Sequence, residues 1–448
     1  MIAPPLTPNA IAYAWERLLA IAGAHDPAPP HAYGPADAPL PRPGVVIVPA
    51  APDAWAQLLE ARPGRLTWLP AADLFPAGYP RPFDDAVPVL FESDAGGGKP
   101  PIWIRKDGSI VFHIDLIAAT LFMLTRWEEV VLPRRDEHDR FPAAESVAYR
   151  QGFLDQPIVD RYAMILRAWL QKLQPSWQPQ HHQFQLRLSH DIDHLRRFET
   201  AGLAIRQAGR DLLREKNIAR AWRDASDYVQ GRWRFARSPY LLALEHFADQ
   251  AEALNTRAVF YVLAGGDAIY DTGYDVTNPI FRHILLRLHE RGHIIGLHPS
   301  YETYLDPQRY LAEKTRLENI LGFEVRHARQ HYLRFRIPNT WRTAAEAGVQ
   351  EDATLGYAQR EGFRCGTAHP FPVFDIITDK TLPLTEMPLH VMDGTLKEYQ
   401  RLTPEESRQR LRLMARRVAE VAGTLQLLWH NHAALPPWTR WREAYSQF

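Results

Sequence analysis

Residues 184–194, Phe-Gln-Leu-Arg-Leu-Ser-His-Asp-Ile-Asp-His, constrain this chain more than any other stretch. Apolar and polar residues alternate through its first half, the pattern of a half-buried strand. The strand then runs into His190, Asp191, Asp193 and His194, all groups that bind protons or metals. Charge at a strand end lies at the rim of a sheet or barrel, where α/β folds keep their sites. On this stretch alone a second reading stays open, a polar loop whose aspartate caps the next helix.

The 448 residues leave room for two or three domains. With 46 % hydrophobic and 23 % charged residues, the composition is that of a soluble globular chain with a core. The formal net charge is +0, so no overall field favours nucleic acid or an anionic membrane surface. Cys365 is the only cysteine, which excludes an internal disulfide and gives no sign of an oxidising compartment. The opening residues, Met-Ile-Ala-Pro-Pro-Leu-Thr-Pro, lack the basic and apolar segments of a signal peptide. No run approaches the ~18 apolar residues of a membrane span. The expected location is cytoplasmic.

The front of the chain mixes helices and strands. A helix is expected over 8–23, closed by Gly23, then a proline- and alanine-rich loop over 26–43. Apolar runs follow at 45–48, 66–69 and 87–91, then a hairpin over 102–112 that turns at Asp107-Gly108. Helices are expected over 116–129 and 158–173. No compact chemical cluster stands out, so the expected role of this part is structural or docking. Residues 174–183 read as a linker in which His181 and His182 are solvated.

Beyond the linker the pattern becomes strand, helix, strand, helix, broken by a charged helical insertion at about 196–237. Strands are expected at 257–263, 293–298, 325–334 and 424–429, with further apolar runs at 353–357, 362–366 and 384–392. Helices are expected over 238–254, 278–291, 307–321, 340–348 and 403–423, with Ser238 and Thr403 as caps. Such alternation implies an α/β fold with a mostly parallel sheet or a barrel. The expected division is a mixed α/β N-terminal domain over 1–178 and a β/α domain over 179–448.

Four strand ends carry polar clusters: residues 189–194, 292–301, 329–334 and 427–432. Ends of consecutive β/α units converge on one pocket. Neither a phosphate-binding Gly-x-x-x-x-Gly-Lys loop nor a Gly-x-Ser-x-Gly elbow is present. Gly265-Gly266 reads as an isolated turn, and Cys365 as a buried small residue.

These clusters occur as Asp-x-Asp after the first strand, Gly-His-x-Ile-Gly-x-His at the third, Arg-x-x-Tyr at the fourth and Leu-x-His at the last. In that order the chain from Phe184 onward resembles the polysaccharide deacetylase family, which includes chitooligosaccharide and peptidoglycan deacetylases. The front resembles an uncharacterised N-terminal domain that precedes a deacetylase-like domain in some bacterial proteins, often linked with exopolysaccharide. The resemblance implies a distorted (β/α) barrel, one divalent metal, usually zinc, and removal of an N- or O-acetyl group from a saccharide by a metal-bound water.

Carried over by residue, the resemblance makes Asp191 the general base, Asp193 a metal ligand and His298 the first histidine of a His-x-x-x-His pair. It makes Arg329 the partner that orients the base and Tyr332 the source of a backbone amide for the oxyanion. His430 becomes the general acid. Such an acid needs a neighbouring carboxylate, for which Asp393 is the candidate and Asp352 and Asp375 are weaker ones. The chain departs from the pattern at Glu302, where the second histidine is expected. Glu302 reads better as a solvated residue; His331 and His194 are the rivals for third ligand, and His331 is the expectation. His293 reads as a buried, hydrogen-bonded histidine. Trp429 and Tyr301 read as packing more readily than as walls of a sugar site. Two other functions stay open: hydrolysis of a non-sugar amide, and a degenerate barrel that binds a glycan or a protein without catalysis.

Overall fold

The computed structural model describes residues 3–4, 6–24, 29–93, 100–196, 198, 201–213, 216–233, 235–436 and 438–446. Met1, Ile2 and Pro5, the start of the expected loop at 26–28, and parts of the expected insertion lie outside them.

The first helix, Pro8–Ala22, starts where the Thr7 side chain accepts the Ala10 amide and stops at Gly23, whose φ of 76° few other residues tolerate. Front strands are β1 (His31–Tyr33), β2 (Val45–Ile47), β3 (Thr67–Leu69), β4 (Val87–Val89), β5 (Ile102–Ile104) and β6 (Ile110–Phe112). Four of them form a sheet in the order β1-β2-β6-β5, and β3 pairs with β4. β1 thus lies inside the stretch expected to be loop. The β5–β6 hairpin turns at Gly108, with φ 85°.

The helix expected over 116–129 is two, Leu116–Leu124 and Trp127–Val131, broken at Arg126 with φ 54°. The break turns the fully buried Arg126 guanidinium onto Glu128, Glu129 and the Tyr357 hydroxyl. Arg364 closes the network on Glu129 at 2.9 and 2.6 Å. Apolar residues of the front and back halves belong to one core, as where Tyr13 stacks on Phe374 at 4.9 Å.

The back half is organised on β7 (Gln185–Ile192), β8 (Ala258–Val262), β9 (Ile294–Leu297), β10 (His327–Ala328), β11 (Glu351–Asp352), β12 (Phe371–Asp375), β13 (Lys380–Glu386), β14 (Val391–Met392) and β15 (Thr424–Leu428). They form one nine-stranded sheet in the order β12-β13-β11-β10-β9-β8-β7-β15-β14. Every neighbouring pair is parallel except β12–β13. The ladder is an open series, not the closed ring of a barrel. One segment, residues 387–390, spans its gap: the Met387 amide donates to the Asp352 carbonyl and the His390 amide to the Gln426 carbonyl.

Helices Pro239–Ala253, Pro279–Glu290, Pro307–Leu321 and Pro404–Glu420 all begin with proline, whose fixed φ suits the first turn. Asn278, Asp306 and Thr403 cap three of them through their side chains. Ser238 departs from expectation: its hydroxyl donates to the Leu195 carbonyl at 2.6 Å instead of capping. That bond joins the two ends of the insertion, which holds helices Ala201–Leu213 and Ile218–Trp233.

Candidate active site

β7 runs four residues past Leu188, where the alternating stretch ends, and carries Ser189, His190, Asp191 and Ile192 within it. Successive side chains of a strand face opposite ways. His190 therefore turns into the core, stacked on Phe247 at 3.9 Å with Nδ1 2.8 Å from the Trp429 carbonyl. Burial pushes its pKa down to about 3, so it is a neutral core residue. Asp191 faces the other side, where Arg329 Nη1 donates to Oδ1 at 3.0 Å. The guanidinium is itself fixed by Ser189 Oγ at 2.8 Å and the Ala353 carbonyl at 2.9 Å, and lies 4.5 Å from the Tyr261 ring. Gly296 makes room for that ring; a Cβ there would come within 2.6 Å of it.

Asp193 follows β7, His298 follows β9 and His331 follows β10. Each offers one donor atom, all within 4.8 Å of one another. His298 Nε2 lies 3.5 Å from Asp193 Oδ1 and 3.6 Å from Asp191 Oδ2; His331 Nε2 lies 4.0 Å from Asp193 Oδ1. The other ring nitrogens are occupied. His298 Nδ1 sits 2.5 Å from the Arg329 carbonyl, and His331 Nδ1 sits 2.9 Å from Asp271 Oδ1. Such contacts fix the tautomers that present Nε2 lone pairs.

Asp193 Oδ1 is buried with no hydrogen-bond partner. An orphaned carboxylate oxygen is costly unless a cation completes it. Burial alone would raise the Asp193 pKa, but His298, His430 and His331 outweigh it and hold the carboxyl well below the usual range. Burial likewise opposes charge on His298, yet Asp191 and Asp193 raise its pKa. One carboxylate and two imidazoles are the donors of an open catalytic zinc site, so these residues fit a divalent cation.

His430 follows β15 and meets Asp393, which follows β14. Its Nδ1 lies 2.7 Å from Asp393 Oδ1 and its amide donates to Oδ2 at 2.8 Å. Its Nε2 points back to Asp193 Oδ2 at 3.7 Å and Asp191 Oδ2 at 4.0 Å. Burial works against a charged imidazole, but Asp393, then Asp193 and Asp191, outweigh it and hold the pKa up to about 10. The weaker candidates lie elsewhere: Asp352 receives the Thr354 amide and Asp375 holds Arg342.

Tyr332 is in the left-handed region, with φ 60°. The amides of His331, Leu333 and Arg334 bond to backbone carbonyls; among the described residues the Tyr332 amide makes no such bond. Its carbonyl accepts from Arg140 Nη1 at 3.2 Å, while Arg140 Nη2 donates to Tyr399 Oη at 3.2 Å. Arg140 belongs to the front half and lines the same cavity, of about 320 Å³, as Asp191, Asp193 and His430. The front half thus reaches the cavity. Its residues 136–140 are tied to the rim by Arg334 on the His138 carbonyl and by Gln359 on Asp136.

Glu302 does not join the cluster; its half-exposed carboxylate faces Arg334 at 3.3 Å. His194 lines the cavity outside the three-donor group. His293 accepts the Ala258 amide at 3.2 Å. Trp429 is buried against Tyr445 at 4.4 Å, and Tyr301 lies under Arg334 at 3.8 Å; both pack. Asp271 and Arg140 escaped the sequence reading. The Gly265-Gly266 turn was a signal for the first: Gly266 has φ 102°, and a Cβ there would lie 2.5 Å from the Asp271 carboxylate.

A model of a family of unknown function, DUF7033, matches residues 70–175. No curated protein matches the chain. Among solved structures, a Mycobacterium smegmatis protein assigned to the polysaccharide deacetylases is 17 % identical, covering 61 % of this chain and 85 % of its own, with a TM-score of 0.38. The polysaccharide deacetylase Bc1974 from Bacillus cereus is 11 % identical, covering 60 % and 86 %, with a TM-score of 0.28. Likenesses this remote do not assign a function; a functional reading has to rest on the side chains of the site.

Proposed function

We propose that the chain is a divalent-metal-dependent hydrolase that removes an acetyl group from a saccharide. The observation that carries this is the orphaned Asp193 oxygen facing two imidazole Nε2 atoms, between the Asp191–Arg329 and His430–Asp393 pairs. Asp193, His298 and His331 would hold the metal, zinc by its donors. When bound, it supplies Lewis acidity to a carbonyl oxygen and to a water molecule.

The chain's own groups divide the proton work. Asp191 Oδ2 accepts a proton from the attacking water while Oδ1 is held by Arg329, so the carboxylate cannot rotate away. The Tyr332 amide donates to the oxyanion that develops on the acetyl group. His430, charged at neutral pH, protonates the departing nitrogen or oxygen through Nε2, and Asp393 on Nδ1 sets its direction. In this reading residues 179–448 form a distorted, seamed barrel with the chemistry at its rim, and residues 1–178 lend it Arg140.

The test is acetate release from N- and O-acetylated oligosaccharides together with metal analysis. The protein should carry close to one equivalent of zinc, and Asp191→Asn should stop turnover while the metal stays. Less than about a tenth of an equivalent, with no activity on adding zinc, would sink the proposal.

A further inference from the structure

The insertion between Leu195 and Ser238 is built inside out. Helices Ala201–Leu213 and Ile218–Trp233 pack together through small or acidic residues, Ala204, Asp211, Ala221 and Asp224, which are buried. Among the described side chains of the two helices, the large aliphatic ones and Trp222 point outward. Leu213 is 84 % exposed and Trp222 75 %, with Leu212 and Ile218 beside them at the turn and Ile205 and Val229 further along. Hairpins of ordinary soluble proteins bury such residues.

The charges follow the same logic. Arg206, Arg210, Lys216 and Arg223 are exposed; Asp211 and Asp224 are fully buried and Asp227 half-buried. Among the described residues of the hairpin, no acid is exposed. The described part of the hairpin thus presents a cationic, apolar face, with its described acids turned inward. With 13 and 16 residues the helices are too short to cross a bilayer. Leucine, isoleucine and tryptophan flanked by arginine and lysine are instead the side chains of helices that lie in the headgroup layer. A second copy would oppose the same cations, so self-association is disfavoured by charge.

We propose that this hairpin docks the protein on an anionic lipid bilayer, with Leu212, Leu213, Ile218 and Trp222 entering the interface and the four cations meeting lipid headgroups. The full-length protein is sedimented with phosphatidylcholine vesicles, with and without phosphatidylglycerol. Partitioning should be at least about tenfold stronger on the anionic vesicles and should weaken with salt. The double variant Leu213→Glu, Trp222→Glu should lose about tenfold or more on both, and replacing the four cations by glutamine should erase the preference for phosphatidylglycerol. All six positions are exposed, so melting temperatures should not move. The proposal is overturned if wild type binds neither vesicle, if the double variant binds as wild type does, or if wild type sediments as a dimer that Trp222→Glu separates.

Discussion

Two clusters of buried charge can be set side by side. At the junction of the halves, Arg126 and Arg364 face Glu128 and Glu129, and the carboxylate oxygens are bonded, the last by the Val147 amide at 2.7 Å. At the sheet rim, Asp191, Asp193 and Asp393 share one guanidinium and three imidazoles, and Asp193 Oδ1 accepts no hydrogen bond. Both are out of water, yet only the first is balanced. A closed network locks parts together; an open one, with acceptors left over, is strain that folding alone does not reward.

The sharpest way to separate them is by what each loses. Asp191→Asn should cut acetate release by about 10³-fold or more with the melting temperature little changed. Glu129→Ala should do the reverse, costing about 3–5 kcal/mol in denaturant unfolding because Arg364 is left buried without a carboxylate and Arg126 keeps only Glu128, while the folded fraction keeps its turnover. Acid should find the junction too. Burial would raise Glu129, but Arg364 and Arg126 pull its pKa from 4.5 down to about 2. Its contribution is complete above the unfolded value and is lost as pH falls through the folded one. Between those limits stability should drop by about 3 kcal/mol on this account, and Glu129→Gln should flatten that slope in urea titrations. The smallest effect belongs to the support of the open cluster. Asp271→Asn should weaken zinc affinity about 10–100-fold, read by chelator competition, and zinc should then raise the melting temperature less than it does in wild type. An unchanged affinity would mean that the His331–Asp271 contact does not orient a ligand.

Much of this arrangement was legible from sequence because it is local. Asp193, His298, His331 and His430 each lie at or just past a strand that the strand–helix pattern marks, and parallel strands carry their ends to one side. Proline-led helices were equally plain. What was hidden depends on distant partners. Arg126 breaks a good helical pattern because its guanidinium is claimed by Tyr357, far along the chain. The β12–β13 hairpin is masked by Pro372 and Pro383, tolerated in a sheet where the missing amide is not needed. Arg140 gave no sign at all, since nothing in residues 136–140 says which pocket they will meet. The open ladder was hidden as well, because pairing within β/α units does not say how the last strand meets the first.

That meeting has a kinetic consequence. β7, the first strand of the sheet, pairs with β15, the last long one, in the register Leu188↔Leu427 and Ser189↔Leu428. Asp191 and His430 therefore stay apart until nearly the whole chain has been made. Contacts so distant in sequence close late and slowly. β7 can pair with β8 early, but its other edge must stay open until β15 is made, which makes that edge the place where misassociation during folding would begin.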